Sequence, residues 1–343
     1  MTDRIRAAVW LGPGLGFAIR TLSTPELGPG QTLIRIESAC ICGSDLHTVA
    51  GRRESPAPSV LGHEYCGVVE ALGPGPAPRT TLGEAVQVGD RVVWSITDSC
   101  GQCTRCAQGL PQKCRHLAKY GHTAWDSWPL SGGFASHAQL RAGTSMTSVP
   151  DSLPSAVAAT ATCAGATIMA AVEGTTGESA LVVGAGMLGL YACAVLAERG
   201  FDVTVWEPQA ERRRQAVQFG ASRAVAGPED GRSFDLAVEL SGHRPIIPEA
   251  LAALDFGGTL VLAGTVSPGP TVPFDPEAVV RGLWQIRGVH NYRPEHLQQA
   301  IEFLAGSDKP FAGLLSVPRP LPEIAAAFDA AQEGQALRVV LVP

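Results

Sequence analysis

Four cysteines are crowded into one short stretch of this 343-residue chain, at Cys100, Cys103, Cys106 and Cys114. Four thiolates at this spacing are the donor set of a closed, tetrahedral structural zinc site. Disulfides and an iron–sulfur cluster are the alternatives, because such clusters also use closely spaced cysteines. Zinc is favoured, since a second set of metal-binding side chains lies upstream. The spacing therefore predicts a zinc lobe over residues 95–118.

Composition excludes several classes of protein. Hydrophobic residues make up 45% and charged residues 17% of the chain, which is typical of a well-packed enzyme long enough for two domains. The formal net charge is −6 and no basic cluster is interleaved with aromatics, so nucleic acid is not expected as a partner. The first residues do not form a signal peptide, and nine cysteines suit a reducing compartment, which predicts a cytoplasmic location.

One uncharged segment, residues 180–197, has the length of a short membrane span. Three glycines interrupt it, and its first part has the pattern of a buried strand. No membrane association is therefore expected.

The pattern of elements changes near residue 154. Before it, short β-rich runs separated by Gly and Pro predict a barrel-like β domain over residues 1–153. After it, strands and helices alternate, which predicts a doubly wound α/β domain with a parallel sheet over 154–291. Residues 284–290 are expected to form the edge of that sheet, and 292–343 to return to the first domain.

A glycine-rich loop follows the first predicted strand of the α/β domain. Its residues are Gly184, Ala185, Gly186, Met187, Leu188 and Gly189. In this strand–loop–helix context the motif predicts binding of a dinucleotide, whose pyrophosphate would face the N–H groups of the helix N-terminus.

The next predicted strand ends at Glu207. A carboxylate there accepts hydrogen bonds from the adenosine ribose hydroxyls and repels a 2′-phosphate, which favours NAD over NADP. The alternative is that Glu207 only caps the following helix. Arg212 and Arg213 lie nearby, and because an arginine there could accommodate a 2′-phosphate, they slightly weaken the preference for NAD.

Two segments upstream carry donors suited to a catalytic zinc, which needs about three protein ligands and an open position. The first, residues 42–47, contains Cys42, Ser44 and His47; the second contains His63 and Glu64. The residues themselves assign Cys42 and His63 as metal ligands.

Taken together, these motifs resemble the zinc-dependent medium-chain dehydrogenase/reductase (alcohol dehydrogenase) superfamily over essentially the whole chain. The resemblance is carried by residues 42–47 (CGSDLH), 62–67 (GHEYCG), 89–92 (GDRV), the four-cysteine lobe, 132–135 (GGFA) and the glycine loop. It implies an α/β fold in which a Rossmann coenzyme domain accompanies a GroES-like β-barrel catalytic domain. It also implies two zinc ions per chain and NAD.

The resemblance further implies roles for individual residues. Cys163 would be the third ligand of the catalytic zinc beside Cys42 and His63, although a small buried helix residue is the alternative there. Glu64 would be an exchangeable ligand. Ser44 would relay a proton through the cofactor ribose to His47. The alternatives are that Ser44 only forms a turn-stabilising hydrogen bond and that His47 is a solvated helix residue.

The implied activity is hydride transfer between NAD and an alcohol, polyol or hydroxyalkyl compound, giving an aldehyde or ketone. The alternatives are a zinc-independent NAD(P)H reductase of the same superfamily and a non-catalytic zinc-binding protein. The sequence of residues 109–122 is most similar to that of a family branch proposed to act in phosphonate catabolism. In such an enzyme, Arg52 and Arg53 could bind an anionic substrate. The favoured interpretation is that both are solvated loop arginines. A homodimer or homotetramer is expected, joined at the sheet edge.

Overall fold

The computed structural model describes residues 4–229 and 231–343, so residues 1–3 of the first predicted domain lie outside the described residues. The chain divides into two compact units. Unit 1 contains the residues up to Ala166, together with Arg293–Ser307 and Phe311–Pro343. Unit 2 contains Thr167–Tyr292 and Asp308–Pro310. The chain thus leaves unit 1 after Ala166, later than the boundary expected at residue 153.

The secondary structure accounts for the predicted fold class, which is confirmed as α/β. The strands are β1 (Ile5–Trp10), β2 (Phe17–Leu22), β3 (Thr32–Ile41), β4 (Ser59–Val60), β5 (Glu64–Leu72), β6 (Arg91–Trp94), β7 (Thr97–Asp98), β8 (Ala118–Lys119), β9 (His137–Leu140), β10 (Met146–Ser148), β11 (Ser179–Val183), β12 (Asp202–Trp206), β13 (Arg223–Val225), β14 (Phe234–Glu239), β15 (Leu254–Leu262), β16 (Gln285–Gly288), β17 (Arg319–Pro320) and β18 (Val339–Val342). The α-helices are α1 (Gly43–Val49), α2 (Thr104–Ala107), α3 (Ser155–Thr160), α4 (Ala166–Ala171), α5 (Met187–Glu198), α6 (Ala210–Gln218), α7 (Ile247–Ala252), α8 (Pro276–Gly282), α9 (Pro294–Gly306) and α10 (Ile324–Gln332).

Unit 1 is built on β-sheets. Its largest sheet has the order β10-β6-β5-β3-β18-β17, with β9 also pairing with β3. A second sheet has the order β2-β1-β4, and β7 pairs with β8 beside the four cysteines. Buried aromatic rings fill the core: Tyr65 stacks on Trp94 with centroids 3.9 Å apart, and Tyr120 meets both rings edge-on.

The register of three strands assembles one end of this sheet. On β3, Cys40 pairs with Glu64 of β5 on one side and with Val340 of β18 on the other. The β3–β18 ladder ends at the pair Ile41 and Val339, and extending it by one residue brings Cys42 opposite Arg338. Strand pairing therefore places Cys42, Glu64 and Arg338 side by side, although they are far apart in sequence.

Unit 2 contains a six-stranded parallel sheet of order β13-β12-β11-β14-β15-β16. Numbered within the unit, this order is 3-2-1-4-5-6, that of the doubly wound nucleotide-binding fold. The strand order reverses between β11 and β14, which creates the crevice where such sheets bind ligands. Because both faces of a doubly wound sheet are covered, β11 is apolar and buried from Ala180 to Val183.

The uncharged segment 180–197 is divided between β11, the glycine loop and α5. Among the described residues, no helix has both the length and the apolar character needed to cross a membrane.

Candidate metal centres and cofactor site

Three metal-binding side chains converge in unit 1. The ligand atoms of Cys42, His63 and Cys163 all lie within 4.8 Å of one another. Cys42 precedes α1, His63 precedes β5, and Cys163 lies in a π-helical turn, residues 161–165, between α3 and α4. Such turns are rare and are frequent at functional sites. The structure thus brings together the three residues that the resemblance implies as ligands.

Asp45 holds this group in place. Its Oδ2 accepts a hydrogen bond from the backbone N–H of Cys42 at 2.9 Å, and its Oδ1 lies 3.2 Å from Nδ1 of His63. The second contact is an ion-pair distance without hydrogen-bond alignment. Asp45 is fully buried. Sequence reasoning did not assign it a role, although an acidic residue three positions after Cys42 is a signal of helix capping.

The electrostatics of the cluster favour a cation. A hydrogen bond from Cys163 lowers the pKa of Cys42 well below its usual value, against the effect of burial. Burial opposes charge on His63, but Asp45 and Cys42 raise the pKa of its ring to about 10. A site that stabilises both a thiolate and a neighbouring positive charge suits a divalent metal. Two thiols and one imidazole are also the protein donors of a catalytic zinc with an open fourth position, so these residues fit the ion.

Glu64 lies beside the cluster but does not join it. Both of its carboxylate oxygens accept hydrogen bonds from Arg338, Nε to Oε2 at 2.6 Å and Nη2 to Oε1 at 2.9 Å. The same Nη2 is 3.5 Å from Sγ of Cys42. In this arrangement the Glu64 carboxylate is paired with a buried cation, and its role as an exchangeable metal ligand stays a prediction. Sequence reasoning missed Arg338 because its position depends on strand register.

Ser44 and His47 lie on α1, next to the cluster. The Ser44 hydroxyl is 3.0 Å from Nε2 of His63. His47 is exposed, and its Nδ1 accepts a hydrogen bond from Nε of Arg52 at 2.9 Å. Partial burial and then the charge of Arg52 lower the pKa of His47. Ser44 therefore contacts the metal cluster directly, whereas His47 is coupled to an arginine that was expected only to be solvated.

The four cysteines of the lobe form a second, separate cluster. Their Sγ atoms all lie within 4.8 Å of one another, and none is in a disulfide. Backbone N–H groups point at the sulfurs: Cys100 and His116 donate to Cys114 at 3.3 Å, and Arg115 donates to Cys103 at 3.5 Å. Such N–H···S bonds stabilise thiolates. The lobe therefore fits a closed structural zinc.

The glycine loop in unit 2 has the backbone that a dinucleotide requires. Gly184 has φ +93°, and a Cβ there would lie 2.9 Å from Cβ of Ser241. A Cβ on Gly189 would lie 1.9 Å from the carbonyl oxygen of Gly184, so only glycine lets α5 approach the loop. Gly186, immediately before Met187 and Leu188, has no atom within 4 Å of its Cβ position. That open position at the N-terminus of α5 is where a pyrophosphate could approach.

Glu207 follows β12 and contacts this loop. Its Oε2 accepts a hydrogen bond from the N–H of Ala185 at 2.9 Å, and its Oε1 accepts one from Gln209 at 2.9 Å. Glu207 thus contacts the glycine loop through Ala185 and also caps the start of α6 through Gln209. Arg213 donates to the carbonyl oxygens of Glu207 and Pro208. Arg212 is half-buried on α6.

Comparison with known families matches both parts of the chain. Residues 28–151 match the family described as "Alcohol dehydrogenase GroES-like domain". Residues 188–306 match the family described as "Zinc-binding dehydrogenase". The first match contains Cys42, His63 and the four lobe cysteines, and the second contains the parallel sheet from β12 to β16.

Individual proteins are similar over nearly the full length. An L-threonine 3-dehydrogenase of Anaeromyxobacter dehalogenans is 30% identical, covering 92% of each chain. Another, from Deinococcus radiodurans, is 28% identical over 96% of this chain and 95% of its own. The crystal structure of an alcohol dehydrogenase from Thermotoga maritima superimposes with a TM-score of 0.92 at 27% identity, covering 99% of both chains.

Proposed function

The chain belongs to the zinc-dependent medium-chain dehydrogenase/reductase superfamily, and we propose that within it the protein interconverts a small alcohol and its aldehyde or ketone, with NAD as hydride acceptor. The observation that carries this proposal is the convergence of Cys42, His63 and Cys163. A purely structural metal site would be closed by a fourth protein ligand, as in the cysteine lobe. This cluster offers three donors, which leaves a position for substrate.

The chain's own residues prepare the reaction. Cys42, His63 and Cys163 would hold a zinc ion, which when bound polarises a substrate oxygen and lowers the pKa of an alcohol. Asp45 fixes the ring of His63, because a hydrogen-bonded or ion-paired second nitrogen orients the first. The Ser44 hydroxyl, 3.0 Å from Nε2 of His63, would accept the alcohol proton and pass it through the cofactor ribose toward His47. Because His47 has a lowered pKa, it is neutral near pH 7 and can take up that proton.

The proposed preference for NAD over NADP is based on the position of Glu207. Its carboxylate sits at the end of β12, against the glycine loop, where the ribose of a bound dinucleotide lies in this fold. A buried carboxylate at that point repels a 2′-phosphate. Arg212 and Arg213, on the helix that follows, are the nearby groups proposed to weaken this preference.

The proposal is tested by an NAD reduction screen across neutral alcohols, polyols, hydroxyalkylphosphonates and L-threonine, with zinc measured on the same preparation. The expected result is turnover of at least one alcohol by protein that holds two zinc ions per chain. A preparation with both zinc ions that reduces neither NAD nor NADP with any of these compounds would contradict the proposal.

L-threonine is the second candidate substrate. It is supported by the two relatives that are named as L-threonine 3-dehydrogenases. The same screen separates it from simple alcohols, because a threonine enzyme would prefer the amino acid over 2-butanol by a large factor in kcat/KM.

We propose that the protein forms a homo-oligomer in which subunits join through the open edge of β16. Among the described residues this strand pairs only with β15, and apolar side chains on it and just before it are exposed: Leu283 is 71% exposed and Ile286 is 43% exposed. An open edge of this kind pairs readily with a second copy across a two-fold axis. Ile286→Lys should lower the mass measured by light scattering, whereas Val217→Lys on α6 should not. An unchanged mass for Ile286→Lys would reject this interface.

A further inference from the structure

Besides Glu207, a second buried carboxylate lies at the carboxyl edge of the sheet in unit 2. Glu239 is the last residue of β14 and is fully buried. It pairs with Val183 of β11 on one side and with Leu262 of β15 on the other. Because β11 ends at Val183, immediately before the glycine loop, Glu239 lies beside that loop, where the strand order reverses.

The carboxylate of Glu239 joins the loops that follow two neighbouring strands. Its Oε1 accepts hydrogen bonds from Oγ of Ser241 at 2.8 Å and from the backbone N–H of Gly242 at 2.7 Å. Its Oε2 accepts one from Oγ1 of Thr265 at 2.8 Å. The backbone N–H of Gly264 donates to the carbonyl oxygen of Glu239, also at 2.8 Å. One residue therefore holds both the loop after β14 and the loop after β15.

These two loops and the glycine loop are packed backbone against backbone. A Cβ on Gly264 would lie 2.5 Å from the carbonyl carbon of Leu240 and 2.8 Å from the backbone nitrogen of Gly242. The contact of Ser241 with Gly184 is equally close, because a Cβ on Gly184 would lie 2.9 Å from the Cβ of Ser241. A shift of either loop would thus be felt at the others. Ser241 and Gly242 are exposed, so the Glu239 carboxylate lies beneath the surface that they form.

A carboxylate is a costly residue for such a position. Within residues 4–229 and 231–343, its donors are two hydroxyls and one amide, and no cationic side chain pairs with it. An apolar side chain, like that of the preceding Val238, would be buried without this cost. What a carboxylate adds is two oxygens that accept hydrogen bonds from different directions. Glu239 is therefore suited to fix two loops at once.

We propose that Glu239 is a positioning residue of the coenzyme site, which fixes the loops 240–242 and 264–266 as the wall of its nicotinamide half. A doubly wound sheet has two mononucleotide-binding halves, and a dinucleotide lies across the crevice between them. The glycine loop and Glu207 belong to the first half, β11 to β13. The second nucleotide then lies outside the carboxyl ends of β14 and β15, where Glu239 joins the loops. This inference rests on the proposed function, since it assigns a role toward NAD.

The first test compares binding of NAD with binding of ADP-ribose, which lacks the nicotinamide ring. Thr265→Val removes one hydroxyl that bonds Glu239 and keeps the shape of the side chain. It should weaken NAD binding by about tenfold and ADP-ribose binding by less than about twofold, because the bond is made to a charged group of the nicotinamide half. Thr265→Ser keeps the hydroxyl and should restore NAD binding. Calorimetry measures both affinities without turnover.

Two controls separate positioning from a general loss of structure. Glu207→Gln acts on the adenosine half and should weaken both ligands alike. Thr175→Val removes a half-buried hydroxyl elsewhere in unit 2 and should change neither affinity. If Thr265→Val does not fold, Ser241→Ala removes the bond to the other carboxylate oxygen and gives the same comparison.

A second readout is the emission of bound NADH, which reports the surroundings of its nicotinamide ring. At saturating NADH, Thr265→Val should reduce the enhancement and blue shift seen with the wild type, whereas Glu207→Gln should preserve them. Unchanged NAD binding in Thr265→Val, or equal losses for NAD and ADP-ribose, would overturn the role of Glu239 while leaving the proposed function intact. A wild-type protein that binds neither NAD nor NADH would contradict both.

Discussion

Arg338 binds both carboxylate oxygens of Glu64, and the same guanidinium lies 3.5 Å from the thiol of Cys42. Arg338 is 6% exposed and Glu64 is fully buried. The pair therefore lies at the edge of the metal cluster, where the positive charge of Arg338 stabilises the Cys42 thiolate.

Arg338→Met should destabilise the protein by about 3–5 kcal/mol, because it leaves a buried carboxylate without a partner. Chemical denaturation of the zinc-loaded protein measures the loss. The double variant Glu64→Gln/Arg338→Met removes both charges and should regain much of the stability. If the double variant is as unstable as the sum of the two single variants, the pair does not act as a unit.

Variants of a lobe cysteine and of Cys163 should show that the two metal sites have different roles. Cys106→Ser should lower bound zinc from about two ions per chain to about one and reduce Tm, because a structural zinc contributes folding free energy. Cys163→Ser should also lower the zinc content, but it should abolish turnover with a smaller loss of Tm. Zinc content is measured by elemental analysis. A Cys106→Ser protein that retains both ions would contradict the four-thiolate site.

Ser44→Ala should lower kcat by about 10²–10⁴, the usual range for loss of a proton-transfer group, while Kd for NAD changes little. The reason is that the hydroxyl lies at the metal cluster of unit 1, 3.0 Å from His63. Stopped-flow turnover and NAD titration measure the two quantities separately. Equal losses in turnover and NAD binding would reject the relay.

Arg52→Gln should move the acidic limb of the pH–rate profile to higher pH. Arg52 helps to lower the pKa of His47, so removing its charge raises that pKa. The relay needs neutral His47, which exists above its pKa, and the variant therefore loses activity at a pH where the wild type still works. His47→Gln should remove the limb. If the acidic limb does not shift in Arg52→Gln, it reports the titration of a group other than His47.

Most of the architecture could be predicted from the sequence, because strand and helix periodicity is local. The alternation of strands and helices predicted after residue 154 is present as the parallel sheet of β11 to β16 with its helices, and the glycine loop lies between β11 and α5 as expected. The four lobe cysteines, and Cys42 with His63, could also be assigned, since their donor types and spacing identify them. These features need no knowledge of how distant segments meet.

What could not be predicted depends on tertiary register. Arg338 reaches Glu64 only through the β18–β3–β5 ladder, so the expected role of Glu64 as a ligand overlooked its partner. The π-helical turn at Cys163 interrupts an Ala-rich segment whose pattern is that of a regular helix. The approach of the His122 ring to that of His63, 5.4 Å between centroids, is likewise visible only in the folded chain.

Glu207→Gln should weaken NAD binding by about tenfold and narrow the preference for NAD over NADP. The amide can still accept one hydrogen bond from Ala185 or Gln209, so the loop is retained, but the charge that repels a 2′-phosphate is lost. Glu211→Gln, an exposed residue on the same α6 segment, is the matched control and should change neither affinity. Arg212→Gln should lower NADP affinity alone. Fluorescence titration with both cofactors measures these effects, and an unchanged ratio in Glu207→Gln would show that Glu207 only caps the helix.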